Sequence, residues 1–368
     1  MTDGQNIKPL TSLRFFAAIW VVLFHYWPNL AGAAAHGEPG FVAKGYLGVE
    51  LFFILSGFIL SHVYRTSVET GRFRYGAFLW ARLARVYPLH LATLAAMGLM
   101  AGAAGLAGIA VDPNIMSWSS LPANLTLTQA WGFAPVAGWN HPSWSISAEW
   151  FAYLSFPAFA WAALKLKDRP LAAVGLAMGF IVVLYASFQA LAGFPLTLAT
   201  IRWGALRIVP CFAYGCALHA LWRARPAENQ TQALLGAAFS GAGVLVAAAA
   251  GASDAAIVIG LGGVIFFLAR LAQTGSDLLS ARPLVYLGEI SYSVYMICIP
   301  WKIVFPNLVI RVAQLNSKEL PLGLWLVFLI SVVPLAAISY HLIEKPARER
   351  MKLIAESWVT RRPSAARA

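Results

Sequence analysis

The sequence predicts an all-α fold, a polytopic membrane helix bundle of about ten transmembrane helices with the N- and C-termini cytoplasmic. Three observations predict it. Hydrophobic residues fill 60% of the 368 positions and charged residues 11%, against about 25% charged in soluble domains. Ten apolar runs each approach the ~20 residues that a helix rising about 1.5 Å per residue needs to cross a ~30 Å hydrocarbon core. Basic residues gather in alternate connections between those runs, the positive-inside pattern. With 13% aromatic residues and only three cysteines, disorder, collagen and a disulfide scaffold are excluded. The net charge of +12 therefore reads as topology. Membrane lipid is the expected surrounding, and no nucleic-acid partner is expected.

The runs fall at about 10–29, 45–64, 78–101, 143–164, 171–193, 203–222, 233–251, 255–272, 284–305 and 322–343. They are too long and continuous for barrel strands of about 10 residues. With Lys8 inside, Arg65, Arg72, Arg74, Lys165, Lys167, Arg169, Arg223, Arg225, Arg270 and Arg282 also fall inside. The outer connections hold little beyond Lys44, Arg202, Arg311 and Lys318. Residues 1–350 then form one transmembrane domain and 351–368 a basic cytoplasmic tail with Arg361, Arg362 and Arg367.

Lys8, the first run and Ala31-Gly32-Ala33-Ala34-Ala35 also fit a cleavable export signal. Arg14, His25, Tyr26 and Trp27 are unusual in a discarded peptide, so a retained helix is the preferred reading. The connection 102–142 carries Trp118, Trp131 and Trp139 with Asp112 as its one formal charge, which predicts a lid or re-entrant segment folded back onto the helices. The Ala/Gly/Val-rich stretch 229–281 reads as scaffold. Cys211, Cys216 and Cys298 lack metal-ligand spacing and read as packing; no metal is expected.

Charges inside the hydrocarbon cost about 2.5–3.5 kcal/mol on insertion scales, so each needs a reason. By helix rise, His25 lies about 6 Å below the outer boundary, Glu50 about 7 Å and Glu149 about 9 Å. An imidazole and two carboxylates from three helices thus share a depth. That set suits general base catalysis, with His25 taking a proton from an attacking hydroxyl and a carboxylate holding the base or the acceptor. The alternative is that His25 only hydrogen-bonds a neighbour. On the inner side, Arg82 and Arg85 share one helix face at i, i+3 and are suited to phosphate, although arginines at such helix ends also serve as topology anchors. Arg14 lies eleven residues before His25, about 16 Å along the axis, a span comparable to a pantetheine-like arm. A donor with its phosphates at the inner face would present a thioester near His25.

These residues resemble the membrane-bound acyltransferase-3 family, whose members are bacterial integral-membrane O-acyltransferases. Leu10-Thr11-Ser12-Leu13-Arg14-Phe15-Phe16 followed by Phe24-His25 resembles its opening signature. Gly48-Val49-Glu50-Leu51-Phe52-Phe53 through Ser56-Gly57-Phe58 is similar to the second block and Arg82-x-x-Arg85 to the third. Trp144-Ser145-Ile146-Ser147-Ala148-Glu149, Tyr286-Leu287-Gly288 with Ile290-Ser291-Tyr292-Ser293, and Ser339-Tyr340-His341-Leu342-Ile343-Glu344-Lys345-Pro346 resemble the later blocks. The resemblance implies a ten-helix enzyme of the bacterial inner membrane that moves an acyl group, most often acetyl, from cytoplasmic acyl-coenzyme A to a hydroxyl. The acceptor is mostly a glycan or lipid-linked glycan. It implies a catalytic His25, a donor side at Arg14, Arg82 and Arg85, and Glu149 at the active site. Glu50, in the second block, remains a candidate for orienting His25 or the acceptor.

This chain departs from the family in two places. Cys298 stands where many members have histidine, and Glu149 is followed by Trp150 where many have a second acidic residue. Without an appended esterase-like domain, a stand-alone form is implied. Phe52, Phe53, Ser56 and Gly57 also read as plain helix packing, and Glu344-Lys345-Pro346 as a helix stop. The rival functions are a transporter or flippase for a lipid-linked sugar, and acylation of a small secondary metabolite.

Overall fold

The computed structural model describes residues 7–109, 111–314 and 317–360. Among them no strand occurs, and nine helices are long and apolar enough to cross a membrane. The chain forms α1 (Lys8–Tyr26), α2 (Gly48–Glu69), α3 (Tyr75–Leu106), α4 (Ser143–Leu154), α5 (Phe156–Lys165), α6 (Pro170–Ala192), α7 (Gly204–Ala224), α8 (Gln230–Ala249), α9 (Asp254–Gln273), α10 (Arg282–Glu289), α11 (Ser291–Ala313), α12 (Leu322–Ser339) and α13 (Lys345–Thr360). The tail residues Arg361, Arg362 and Arg367 lie outside the described residues.

Prolines in the first turn open α1, α5, α6 and α10, where a missing N–H costs nothing. Gly193, at φ +78°, closes α6 in the left-handed conformation. Asn229 caps α8 by accepting from the Thr231 and Gln232 N–H groups.

Three expected spans differ in detail. The run 143–164 is not one helix: it breaks at Ser155 into α4 and α5, because Pro157 has no N–H to continue the ladder. The run 284–305 divides at Ile290, where the Ser291 hydroxyl donates to the Gly288 carbonyl at 2.7 Å and competes with the backbone ladder. The helix stop expected at Pro346 does not occur. Tyr340–Glu344 form a π turn in which the Lys345 N–H bonds the Tyr340 carbonyl. That wider turn carries the chain through Pro346 into α13.

Hydrogen bonds at the two ends show how the chain alternates. At one end, Lys44 and Tyr46 bond Asp254 at 2.6 and 2.9 Å, and Thr197 also donates to Asp254. There too the Gly132 N–H meets the Ile201 carbonyl, and Leu30 bridges Leu320. At the other end, the basic end, Arg65 and Arg223 both pair with Glu69. Tyr75 donates there to the Leu154 carbonyl at 2.8 Å and Trp80 to the Met351 carbonyl at 2.8 Å. The α4–α5 pair therefore runs from the first end toward the second, beside the nine long helices. Residues 111–142 fold back onto the bundle, burying Ser120, Asn124, Gln129 and Asn140.

At the centre α2 crosses α7 at glycine contacts. A Cβ on Gly57 would lie 2.1 Å from the Phe212 carbonyl oxygen, and one on Gly215 2.0 Å from that of Ile54. Small residues let membrane helices approach this closely. The crossing brings Arg207 of α7 against Glu50 of α2.

Candidate active site

A cavity of about 210 Å³ opens inside the bundle toward its basic end. Each helix contributes one stripe to it. From α2 come Val49, Phe52, Phe53, Leu55, Ser56, Ile59 and Leu60, spaced i, i+3, i+4, i+6, i+7, i+10 and i+11, which keep to one side of the helix and leave out position 50. Arg14 comes from α1, Arg82 and Arg85 from α3, Glu149 and Tyr153 from α4, and Tyr292 and Tyr295 from α11.

The polar groups in this cavity are of two kinds. Glu149 is held by two hydroxyls on one carboxylate oxygen, Ser56 donating at 3.0 Å and Tyr153 at 2.5 Å. Arg85 donates to Glu344 at 2.5 Å and its guanidinium lies 5.9 Å from the Tyr292 ring centre; the second Glu344 oxygen accepts from Ser293 at 2.8 Å. Arg14 lies in electrostatic reach of Arg85, Glu149 and Glu344. Arg82 rests over the Tyr64 ring at 5.8 Å, and its Nε is buried with no hydrogen-bond partner among the described residues. Three guanidiniums thus face two carboxylates, which leaves one positive charge and a buried N–H free for an anion.

His25 and Glu50 are not among the lining residues. His25 is half-buried at the far end of α1, edge-on to Phe24 with ring centres 5.2 Å apart. Its electrostatic neighbours are His141 and Lys302, and the Lys302 Nζ donates to the His25 carbonyl at 2.5 Å. His141 sits in the connection before α4, where burial and then the Arg207 guanidinium push its imidazole below the ordinary value.

Glu50 is fully buried and committed to Arg207, accepting from Nε at 2.5 Å and Nη2 at 3.0 Å. Arg207 also donates to the Ala199 carbonyl at 3.0 Å and stacks on Trp144 at 4.5 Å. The expectation that His25, Glu50 and Glu149 share one pocket is therefore corrected: of the three, Glu149 alone lines the cavity. Nor do the three share a depth: Glu149 meets Ser56, six residues further along α2 than Glu50, and His25 stands at the far end of α1 from Arg14, while position 50 falls off the cavity-facing stripe of α2 and points to α7.

Two residues read as structural take polar parts. Ser56 donates to Glu149, and Glu344, brought inward by the π turn, anchors Arg85. Arg207, His141 and Lys302 were not singled out in the sequence. The signal for two of them is there, since Arg207 and Lys302 are lone cations within otherwise apolar runs.

Comparison with known proteins gives the chain a lineage. It is 33% identical over 193 residues to the acyltransferase MdmB of Streptomyces mycarofaciens, covering 50% of this chain and 47% of that protein. It is 32% identical over 155 residues to Protein 2 in picA locus of Rhizobium radiobacter, covering 38% of this chain and 75% of that one. The match spans about half the length of MdmB. No solved structure matches. The family described as "Acyltransferase domain" matches residues 8–341, nearly all of the bundle and every motif of the proposed resemblance up to His341. The chain belongs to this acyltransferase-3 family.

Proposed function

We propose that this chain is an O-acyltransferase, transferring an acyl group, in the first instance acetyl, from acyl-coenzyme A to a hydroxyl of a glycan or lipid-linked glycan at a bacterial inner membrane. The observation that carries the reading is the convergence of Arg14, Arg82 and Arg85 on one cavity with a buried, unpartnered Arg82 Nε. Coenzyme A brings phosphate anions of the kind that guanidiniums bind. Arg82 is the ligand with a free donor, and Arg14 and Arg85 add charge. The basic end is the cytoplasmic face in this reading, so the donor enters from the cytoplasm.

The pantetheine arm then extends through the bundle toward His25, about 16 Å beyond Arg14 by helix rise. Phe52 and Tyr295, whose ring centres lie 6.3 Å apart, flank that route. His25 takes the proton from the acceptor hydroxyl as its oxygen attacks the thioester carbon. The C–O bond forms, the C–S bond breaks, and the departing thiolate takes the proton back from His25. Glu149, fixed by Ser56 and Tyr153, orients the donor's amide-bearing arm.

The test uses purified full-length protein and labelled acetyl-coenzyme A. Arg82→Ala weakens coenzyme A binding tenfold or more, by about the 1.5–3 kcal/mol of a charged hydrogen bond. His25→Ala retains binding but loses turnover about 10²- to 10⁴-fold. Equal binding by wild type and Arg82→Ala, or wild-type turnover by His25→Ala, overturns the assignment.

A further inference from the structure

Lys302 stands midway along α11, inside a membrane-crossing segment. Several interior cations have carboxylates: Arg207 has Glu50, Arg85 has Glu344 and Lys44 has Asp254. Lys302 is half-buried and has no carboxylate partner among the described residues. Among the described residues a single hydrogen bond, to the His25 carbonyl at 2.5 Å, fixes its ammonium. An ammonium carries three donors, so two remain beside the imidazole, whose electrostatic neighbours are Lys302 and His141. The thiol one turn earlier, Cys298, is occupied with the Tyr295 carbonyl.

Arg14, Arg82 and Lys302 are interior cations without a salt-bridged carboxylate among the described residues, the two arginines at the cavity and the lysine beside His25, the two places where the reaction carries negative charge.

We propose that the Lys302 ammonium is a catalytic cation that stabilises the oxyanion formed on the thioester carbonyl when the acceptor hydroxyl attacks beside His25. The proposal rests on the acyltransferase reading. When the hydroxyl oxygen bonds the carbonyl carbon and its proton passes to His25, the carbonyl π electrons move onto oxygen. Lys302 stays protonated throughout and faces that charge. Collapse restores the C=O bond and expels the coenzyme A thiolate, which collects the proton from His25. A fixed donor aimed at developing charge in a water-poor site acts in this way, and removing one costs about 10²- to 10³-fold in turnover.

The experiment follows release of coenzyme A thiol from acetyl-coenzyme A by the full-length protein in octyl glucoside, whose sugar hydroxyls and water serve as acceptors. Lys302→Gln keeps a donor for the His25 carbonyl but removes the charge. It lowers kcat about 100-fold with the KM for acetyl-coenzyme A unchanged. Lys302→Arg restores most of the loss. Alkylating Lys302→Cys with bromoethylamine, which rebuilds an ammonium, restores activity even if the glutamine variant folds poorly. Wild-type kcat in Lys302→Gln, with His25→Ala inactive, overturns this proposal and leaves the acyltransferase intact. No thiol release by the wild type overturns the acyltransferase reading and this proposal with it.

Discussion

Glu50 and Arg207 lie fully inside the bundle, where Arg207 donates two hydrogen bonds of 2.5 and 3.0 Å to the Glu50 carboxylate, so neither charge is separable from the other. Removing one leaves its partner ionised and dry, which costs about 3–5 kcal/mol, whereas replacing both with apolar groups is often neutral. Glu50→Ala therefore lowers the thermal unfolding midpoint in detergent sharply. The double variant Glu50→Leu/Arg207→Met recovers most of the loss, as a tryptophan-fluorescence melt would record. Equal melting of wild type and Glu50→Ala would remove the brace. Residue counts put Glu50, Glu149 and His25 level, but Glu149 meets Ser56, six residues further along α2 than Glu50. Rotation about the helix axis was not readable in the same way, and it sends position 50 toward α7. Ser56 hides for a similar reason, because a small hydroxyl in an apolar stripe looks the same whether it packs or donates.

Among the elements, the α2–α7 crossing is set by backbone contact. A methyl on Gly57 would have to displace the Phe212 carbonyl, 2.1 Å away, and overpacking of this kind costs about 1–3 kcal/mol. A methyl on Gly179, inside α6, would meet nothing within 4 Å, and the backbone there has no positive φ. Ala at that position gains up to about 1 kcal/mol from reduced chain entropy. Gly57→Ala is thus expected to melt earlier and to lose activity through the displaced Ser56 stripe, while Gly179→Ala melts at or above wild type. Equal melting points would separate Gly57 from the crossing. The long helices were legible because twenty apolar residues leave few alternatives in lipid. The breaks at Ser155 and Ile290 and the π turn at Tyr340–Glu344 were not, since hydropathy averages over the single residues that interrupt a ladder.

For the whole molecule, the charge pattern of the connections and the contacts between them describe the same two-ended object. Glu69, Arg65 and Arg223 meet at one end, while Lys44, Tyr46, Thr197 and Asp254 meet at the other. Charge counting gave the ends their sign, but pairings such as Leu30 with Leu320, from opposite ends of the chain, have no local signal. The α4–α5 pair is the decisive segment, because each of its helices is too short to cross a ~30 Å core alone. If the broken pair crosses as a unit, Asn114 and Asp168, both exposed, lie on opposite faces. The native cysteines are buried, so single cysteines at these positions can be read against a low background. A membrane-impermeant maleimide should label Asn114→Cys in intact spheroplasts and Asp168→Cys only after permeabilisation. Labelling of both from outside would place the α4–α5 pair in one leaflet. The basic end would then no longer be a single face, and Arg82 and Glu149 would not share a route from the cytoplasm.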